Sequence, residues 1–315
     1  MMEEARGATV PVDLSTRLGE VTLRNPVLTA SGTFGYGSEF APFLDLTKLG
    51  GFVAKSLTLE PRWGNPPPRI AEVRAGMLNS ISLENVGVDA FLAEKLPALP
   101  EGTAVVASAF GTAVDQYAEV CRRLTDAPGV VAIEVNASCP HVAAGGIEFG
   151  QDPVGLARLV AAARAATTMP LWVKLSPNVT SIADMARVCE AEGANAVSLI
   201  NAIQALDVDI ETRRPVLANG LGGFSGPAIL PIALRMVWQA AQAVDIPICG
   251  IGGITSAEDV VKFLLCGASA VQVGTLNYLN PMAGAEIVDG LQAYCERAGI
   301  QQITELIGAL DFPSR

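Results

Sequence analysis

The stretch Val130-Val-Ala-Ile-Glu-Val-Asn-Ala-Ser-Cys-Pro-His141 joins a buried strand to a candidate reactive residue. Its first six residues form a nearly continuous apolar run, which is typical of a strand covered on both faces. Pro140 disfavours continuation of a strand or a helix, so the chain turns over beside Asn136 and Cys139. A thiol at the carboxyl end of a strand is a candidate for acid–base or nucleophilic chemistry. A buried core cysteine is the alternative, since free cysteine is among the most buried residue types.

Seven further apolar runs predict strands of the same kind. Together with the first run, the predicted strands span residues 26–30, 51–55, 104–108, 130–135, 171–175, 196–200, 246–249 and 270–273. Amphipathic segments that predict helices separate most of them, at residues 115–124, 153–166, 182–192, 227–244, 257–266 and 283–298. Eight buried strands alternating with helices predict an α/β fold, a closed (β/α)8 TIM barrel formed by one domain over residues 1–315. A doubly wound open sheet is the alternative.

Two segments interrupt this alternation. Residues 58–82, rich in Pro and Arg, follow the second predicted strand, and residues 202–225 follow the sixth as a long loop. In a barrel both would leave from the carboxyl ends of strands, where long loops usually carry function. We therefore expect inserted loops at the C-terminal face of the barrel.

Charge and composition exclude several classes of function. The formal charge is −11, with 32 acidic and 21 basic residues, which disfavours nucleic acid as a partner. The six cysteines are scattered without a C-x-x-C pair, so we expect no metal site, iron–sulfur cluster or disulfide framework in this chain. Neither a signal-peptide h-region nor an apolar run of membrane-spanning length is visible, so we expect a cytoplasmic protein that does not enter the membrane.

Glycine-rich turns end the last two predicted strands. Gly250-Ile-Gly-Gly-Ile254 follows the seventh strand and Gly274-Thr275 follows the eighth. In barrels the loops after these strands commonly bind phosphate through backbone N–H groups, and glycine lets the anion approach the backbone closely. Neither turn is a Walker loop or a Rossmann fingerprint. They predict a ligand with one phosphate group, such as FMN.

Polar side chains cluster at the predicted carboxyl ends of the strands. They are Lys55, Ser56, Ser108, Asn136, Cys139, Lys174 and Asn201. In a barrel these positions converge on one mouth. Lys55 and Lys174 are embedded in apolar strands, where a lysine must find an anion or an acceptor, or lose its charge. With the planar amides of the asparagines, the two lysines suit a small, flat, anionic ligand such as a pyrimidinedione.

In order and spacing, the motifs of this chain resemble those of the class 1, subtype B dihydroorotate dehydrogenases, from about Val21 to the C-terminus. The motifs are Ala30-Ser-Gly32, Lys55-Ser56, Met77-Leu-Asn-Ser-Ile-Ser-Leu83, Asn136-Ala-Ser-Cys-Pro140, Gly145-Gly146, Val173-Lys-Leu-Ser-Pro-Asn178, Gly222-Gly-Phe-Ser-Gly-Pro227, Gly250-Ile-Gly-Gly-Ile254 and Val273-Gly-Thr275. The resemblance implies an FMN-containing barrel that oxidises (S)-dihydroorotate to orotate in pyrimidine biosynthesis.

The resemblance also implies the site residues. FMN is expected to be held by Ser31, Lys55, Ser56, Ser108, Asn136, Lys174, Ile200, Gly226, Gly252, Gly253, Gly274 and Thr275. Dihydroorotate or orotate is expected to be held by Lys55, Asn79, Ser80, Ile81, Ser82, Leu83, Asn136, Asn201 and Ala202. Cys139 is expected to be the catalytic base, taking a proton from one ring carbon while a hydride leaves its neighbour for the flavin. Lys174 would stabilise the negative charge of reduced FMN, and Lys55 would pair with the substrate carboxylate.

The chain departs from the usual family pattern at three positions. Ala202 stands where Thr or Ser is usual, which removes a hydroxyl contact worth about 1 kcal/mol of binding. His141, the single histidine, stands where Asn is more frequent, and we interpret it as a polar residue beside the base. Ser108 replaces a common Asn. The glycine-rich segment 140–152 is expected to form a lid that excludes water from the substrate.

Partners and alternatives follow from the same resemblance. Subtype B enzymes usually pass electrons to NAD through a second subunit with FAD and an iron–sulfur cluster, which implies a homodimer joined by that subunit in a heterotetramer. The nearest alternative is another FMN barrel acting on a related ring, such as the pyrimidine-reducing domain of dihydropyrimidine dehydrogenase. The acidic charge disfavours a tRNA dihydrouridine synthase. A flavin-free lyase or isomerase barrel that binds phosphate is the alternative from a different class.

Overall fold

Eight parallel strands close into a barrel in the computed structural model, which describes residues 12–138 and 149–313. The strands are β1 (Val27–Thr29), β2 (Gly51–Val53), β3 (Val105–Ala109), β4 (Val130–Asn136), β5 (Leu171–Lys174), β6 (Ala196–Leu199), β7 (Ile248–Ile251) and β8 (Ala268–Val273). Each pairs with its neighbours in chain order, and β8 pairs with β1, which closes the ring. The predicted (β/α)8 barrel is confirmed, and the open sheet is excluded.

Helices cover the outside of the barrel. The six long ones are Val114–Leu124, Pro153–Ala166, Ile182–Ala191, Leu230–Ala241, Ala257–Leu265 and Ala283–Ala298, all within segments where the sequence predicts helices or at most one residue beyond. The segment predicted as helix from residue 227 begins with a 3₁₀ turn, Pro227–Ile229, before its α-helical part. Shorter helical turns follow β1, at Leu46–Lys48, and β2, at Val88–Ala90, Phe91–Lys95 and Leu96–Ala98.

Side-chain caps fix where several of these helices begin. Asp152, Ser181 and Ser256 accept hydrogen bonds from the backbone N–H groups of Gly155, Asp184 and Asp259, at 2.8, 3.3 and 3.3 Å. Each cap satisfies an N–H that the first turn of a helix leaves unpaired. The caps therefore fix the first turn of these three helices at Pro153, Ile182 and Ala257.

An N-terminal hairpin closes the amino end of the barrel. It consists of Thr16–Leu18 and Val21–Leu23, and its Leu18, Val21 and Leu23 side chains pack against inward-facing barrel residues such as Val106 and Trp172. This apolar floor is separate from the larger core between strands and helices. Polar side chains of the barrel interior lie above it, toward the carboxyl ends of the strands.

The two insertions form a single four-stranded antiparallel sheet at the carboxyl end of the barrel. Ile70–Val73 and Gly76–Asn79 come from the first insertion, and Ile203–Ala205 and Gly222–Ser225 come from the second. Gly76–Asn79 pairs with Gly222–Ser225, which joins the insertions. The expected long loop at 202–225 is thus corrected: it contains these strands and a small hairpin of Val208–Asp209 and Arg214–Pro215.

No helix in the described ranges has the length and apolar character needed to cross a membrane.

Candidate active site

A cavity opens at the carboxyl ends of the barrel strands, beneath the inserted sheet. Most of the predicted site residues line it. They are Ser31, Lys55, Ser56, Asn79, Ser80, Ile81, Ser82, Leu83, Asn136, Lys174, Ile200, Asn201, Ala202, Gly226, Gly252, Gly253, Gly274 and Thr275. Ser108 lies outside the lining, and Cys139, His141 and most of the expected lid segment lie outside the described residues. The described structure thus gathers the predicted flavin and substrate residues, apart from Ser108, around one space.

Ser108 supports the cavity wall from behind. It is fully buried, and its Oγ lies 2.8 Å from the Oγ of Ser56, which does line the cavity. A ligand would therefore meet Ser56, with Ser108 fixing the direction in which the Ser56 hydroxyl points.

A chain of hydrogen bonds orients the Asn136 amide at the base of the cavity. Asn136 Nδ2 donates to Ser56 Oγ at 3.0 Å, and Asn136 Oδ1 accepts from Ser138 Oγ at 3.0 Å. Ser138 Oγ in turn accepts a hydrogen bond from Asn201 Nδ2. The Tyr117 hydroxyl donates to the backbone carbonyl of Asn136 at 2.9 Å. Connected networks of this kind restrict side-chain rotation, so the two amides are held in place before a ligand arrives.

Two lining residues of this region were not among the predicted site residues. Ser138 lies within the stretch 130–141, directly before Cys139 in the sequence, and its hydroxyl bridges Asn136 and Asn201. Asn178 belongs to a quoted motif, and its Oδ1 accepts from the N–H of Gln204 at 3.0 Å, which ties the loop after β5 to the inserted sheet. Both residues lie within motifs quoted above, and this was the feature of the sequence that could have identified them as site residues.

Lys174 presents a buried ammonium group to the cavity. Its residue is 4% exposed, and its Nζ donates to Ser31 Oγ at 3.3 Å. An ammonium has three donors, and in the described part of the chain this is the one hydrogen bond from Nζ. Burial lowers the pKa of Lys174, while the carboxylate of Glu134 acts in the opposite direction. The remaining donors suit an acceptor that a ligand brings into the cavity.

Lys55 supplies a second cation at the end of β2. Burial lowers the pKa of Lys55, Glu84 and Glu39 raise it, and Arg69 lowers it further. The lysine is only half-buried and lines the cavity with the loop 79–83. It is therefore placed to meet an anionic group of a ligand at the more open side of the site.

The loop from Ser80 to Leu83 is fixed by hydrogen bonds from Asn65, an earlier residue of the first insertion. Asn65 donates from Nδ2 to the Ser80 carbonyl at 2.8 Å and from its N–H to the Ile81 carbonyl at 3.1 Å. Ser82 and Leu83 take left-handed backbone conformations, with φ of 63° and 56°. Such conformations persist only where the surroundings impose them, which indicates that this loop has a defined shape.

The glycine turns after β7 and β8 fit a phosphate group. A Cβ on Gly253 would lie 2.7 Å from the backbone N of Leu230, so packing alone requires glycine there. A Cβ on Gly274 would come no closer than 3.6 Å to a protein atom, at Ala30, so packing does not explain this glycine. In the described ranges the N–H groups of Gly253, Gly274 and Thr275 donate to no protein acceptor. Free N–H groups and an open approach are what a phosphate requires.

A (β/α)8 barrel with such a glycine cradle, two cavity lysines and oriented amides defines the class of barrel enzymes that bind a phosphate-bearing cofactor. Residues 13–294 match the family model described as dihydroorotate dehydrogenase, and the chain belongs to this family. Enzymes of the family are FMN-dependent. The free donors of Lys174 and the cradle at Gly274 fit this cofactor.

Curated relatives cover nearly the whole chain. The catalytic subunit of dihydroorotate dehydrogenase B (NAD(+)) from Trichlorobacter lovleyi is 56% identical over 299 residues, covering 95% of this chain and 98% of the relative. The protein of the same name from Pelobacter propionicus is 53% identical over 300 residues, covering 95% and 99%. A relative from Solibacter usitatus, provisionally named dihydroorotate dehydrogenase A (fumarate), is 53% identical over 300 residues with the same coverage. The resemblance drawn from the motifs is confirmed at the level of the family.

Proposed function

We propose that this protein oxidises (S)-dihydroorotate to orotate in pyrimidine biosynthesis, with FMN bound in the cavity. The observation that carries the proposal is the convergence of Lys55, Lys174 and the Asn136 amide on one space closed by the glycine cradle. The names of the curated relatives support the same reaction.

The flavin is held by residues from all sides of the barrel mouth. Gly252, Gly253, Gly274 and Thr275 offer backbone N–H groups to its phosphate, and Ser31, Ser56, Asn136, Ile200 and Gly226 line the rest of its site, with Ser108 behind Ser56. FMN, when bound, accepts a hydride from the substrate. Lys174 provides a cation for the negative charge that the flavin gains.

The substrate is held beside the flavin by groups that match its carboxylate and amides. Lys55 pairs with the carboxylate, and the amides of Asn79, Asn136 and Asn201 meet the ring. The loop Ser80 to Leu83 closes one side. The Ala202 N–H donates to Asn201 Oδ1 at 2.8 Å, so position 202 supports the Asn201 side chain.

Cys139 acts as the base. It follows Ser138 directly in the chain, and Ser138 lines the cavity between Asn136 and Asn201. A thiolate takes the proton from one ring carbon of dihydroorotate while the hydride leaves the neighbouring carbon. The oriented amides of Asn136 and Asn201 hold the ring so that both events occur in one geometry.

The protein works with a partner. Its relatives are named catalytic subunits of an NAD(+)-linked enzyme, which supports a second subunit that carries the electrons onward. We place the chain in the cytoplasm, as a homodimer joined by an FAD and iron–sulfur subunit in a heterotetramer. The Solibacter relative makes fumarate the second candidate acceptor.

A substrate comparison tests the proposal. FMN-loaded protein is mixed with dihydroorotate or with dihydrouracil, which lacks the carboxylate, and substrate-dependent reduction of an artificial dye is measured. Oxidation of dihydroorotate alone, and its loss in Lys55→Met, would support the assignment. Preference for dihydrouracil would assign the cavity to the related pyrimidine chemistry. Fumarate reduction by the chain alone would argue against an NAD-linked partner.

A further inference from the structure

A carboxylate lies inside the barrel, below the residues that line the cavity. Glu134 is 0% exposed, and its Oε2 accepts hydrogen bonds from Ser198 Oγ at 2.8 Å and from Gln272 Nε2 at 2.6 Å. Its Oε1 has no hydrogen-bond partner in the described part of the chain. A buried charge is costly unless donors or an opposite charge compensate it, so this side chain calls for a physical reason.

Strand geometry places Glu134 in the layer beneath the cavity. It precedes Asn136 by two residues on β4, so both face the barrel interior. Asn136 is paired with Lys174 on β5, and Lys174 is paired with Ser198 on β6, which is also a donor to Glu134. The carboxylate and the ammonium are therefore neighbours in the barrel interior, although they form no direct ion pair in the described structure.

The groups facing Lys174 come from three sides. Ser31, after β1, accepts its hydrogen bond, Glu134 faces it from β4, and the thiol of Cys249 faces it from β7. Burial raises the pKa of Cys249 well above its usual value, so this thiol stays neutral. Within the described ranges, Glu134 is the counter-charge for the buried ammonium.

Interactions between charges are stronger at a given distance where water is excluded, because the effective dielectric constant is lower there. A buried carboxylate thus stabilises a nearby buried ammonium even without contact. Ser198 and Gln272 donate hydrogen bonds to Oε2 of this carboxylate. The same arrangement also has a purely mechanical interpretation, in which Glu134 merely ties β4 to β6 and β8.

We propose that Glu134 is a positioning residue whose buried negative charge keeps Lys174 protonated in the cavity wall. The ammonium is then available to the negative edge of the reduced flavin. That second statement rests on the proposed function, whereas the first concerns only two side chains of this protein.

A direct titration tests the first statement without flavin or turnover. The chain contains five lysines, Lys48, Lys55, Lys95, Lys174 and Lys262, so carbon-13 labelling of lysine gives a small set of side-chain signals, and Lys174→Met assigns the one of interest. In the full-length apoprotein we expect the Lys174 signal to be in its protonated position at about pH 7, with its transition below that of a free lysine. In Glu134→Gln, which keeps size and removes the charge, the Lys174 transition should move to clearly lower pH.

Two controls separate charge from mechanics. Ser198→Ala removes a hydrogen bond to the same carboxylate and leaves its charge, so its Lys174 transition should match that of the wild type. Glu134→Asp keeps the charge, so its Lys174 transition should lie closer to that of the wild type than to that of Glu134→Gln. Equal transitions in the wild type and Glu134→Gln would overturn the proposal. The proposal would also be overturned if Lys174 of the wild type were already neutral at about pH 7, and this measurement does not depend on the folding of any variant.

A second readout addresses the flavin. If FMN binding needs the protonated lysine, the FMN dissociation constant of Glu134→Gln should rise by up to about tenfold per pH unit above the lowered transition. The dependence should disappear in Glu134→Gln/Lys174→Met. If the NMR transition shifts but the FMN affinity does not depend on pH, Glu134 is the counter-charge of Lys174, and the contact between Lys174 and the flavin is rejected.

Discussion

Gln272 on β8 donates a hydrogen bond of 2.6 Å to Glu134 on β4, directly across the barrel interior. These strands lie opposite one another in the closed ring, so the two side chains together reach across the interior. Below it the interior is apolar, with Trp172 and the N-terminal hairpin as its floor. Above it lie Asn136, Lys174 and the cavity. The bond therefore lies at the boundary between the apolar floor of the barrel and the polar residues of the site.

The two glycine positions of the cradle should respond differently to alanine. Gly274→Ala adds a Cβ that meets protein atoms no closer than 3.6 Å, so the apoprotein should keep its stability while FMN affinity falls about 10- to 100-fold. Gly253→Ala combines a φ of +76° with a contact of 2.7 Å to Leu230, and should lose about 1 to 3 kcal/mol of stability. Urea unfolding of the apoproteins and FMN titration measure both. Equal loss of stability in the two variants would contradict the assignment of Gly274 to the ligand.

Asn65 should act on substrate binding without touching the substrate. Asn65→Ala removes the bond that its side chain makes to the Ser80 carbonyl, so the KM for dihydroorotate should rise about three- to tenfold with kcat nearly unchanged. Glu72→Ala, at an exposed position of the same insertion, is the matched control and should leave both constants unchanged. A fall in kcat with an unchanged KM would show that the loop Ser80 to Leu83 is not part of the substrate site.

Removal of the buried ammonium should stabilise the apoprotein in a pH-dependent way. Burial lowers the pKa of Lys174 below its ordinary 10.5, so the folded state binds this proton less tightly than the unfolded state does. The penalty is complete below the folded-state pKa and vanishes as pH rises toward 10.5. Lys174→Met should therefore be more stable than the wild type near neutral pH, with a gap that narrows in alkali. Urea unfolding at several pH values measures the gap, and a gap that widens with pH would contradict this account.

Orotate binding should weaken in alkali through Lys55. Burial lowers the pKa of Lys55 from 10.5, so its positive charge is lost at a lower pH than for a free lysine. Orotate affinity, measured from the flavin spectrum, should fall as pH rises through this pKa. Lys55→Arg should keep its affinity to higher pH because a guanidinium stays protonated. If both proteins show the same pH profile, Lys55 does not hold the carboxylate.

Much of the barrel was predictable because its strands are locally encoded. All eight strands and the six long helices are apolar or amphipathic segments that lie between turn residues. Their alternation predicts a barrel, and the pairing of β8 with β1 excludes the open sheet that the same order allows. The four-stranded sheet formed by the two insertions was not predictable in this way. Its central pairing joins Asn79 to Gly223, and short, glycine-containing strands so far apart in sequence show no local alternation.

The site was predictable where a residue type conflicts with its surroundings. Lys55 and Lys174 stand out as charges in apolar strands, and the structure places both in the cavity wall. Glu134 carries the same signal but was interpreted as part of an apolar strand, because the strand pattern does not show that Ser198 and Gln272 meet it from other strands. Asn65 gives no local signal at all, since its role depends on the folded path of the first insertion.

The most direct test mixes FMN-loaded protein with dihydroorotate in the absence of oxygen and follows the flavin absorbance. We expect rapid bleaching of the wild type, with one orotate formed per flavin reduced. Cys139→Ala should bind FMN and orotate yet bleach far more slowly, and Cys139→Ser should retain some activity at high pH. A wild-type flavin that stays oxidised, or a Cys139→Ala flavin that bleaches as fast as the wild type, would contradict it.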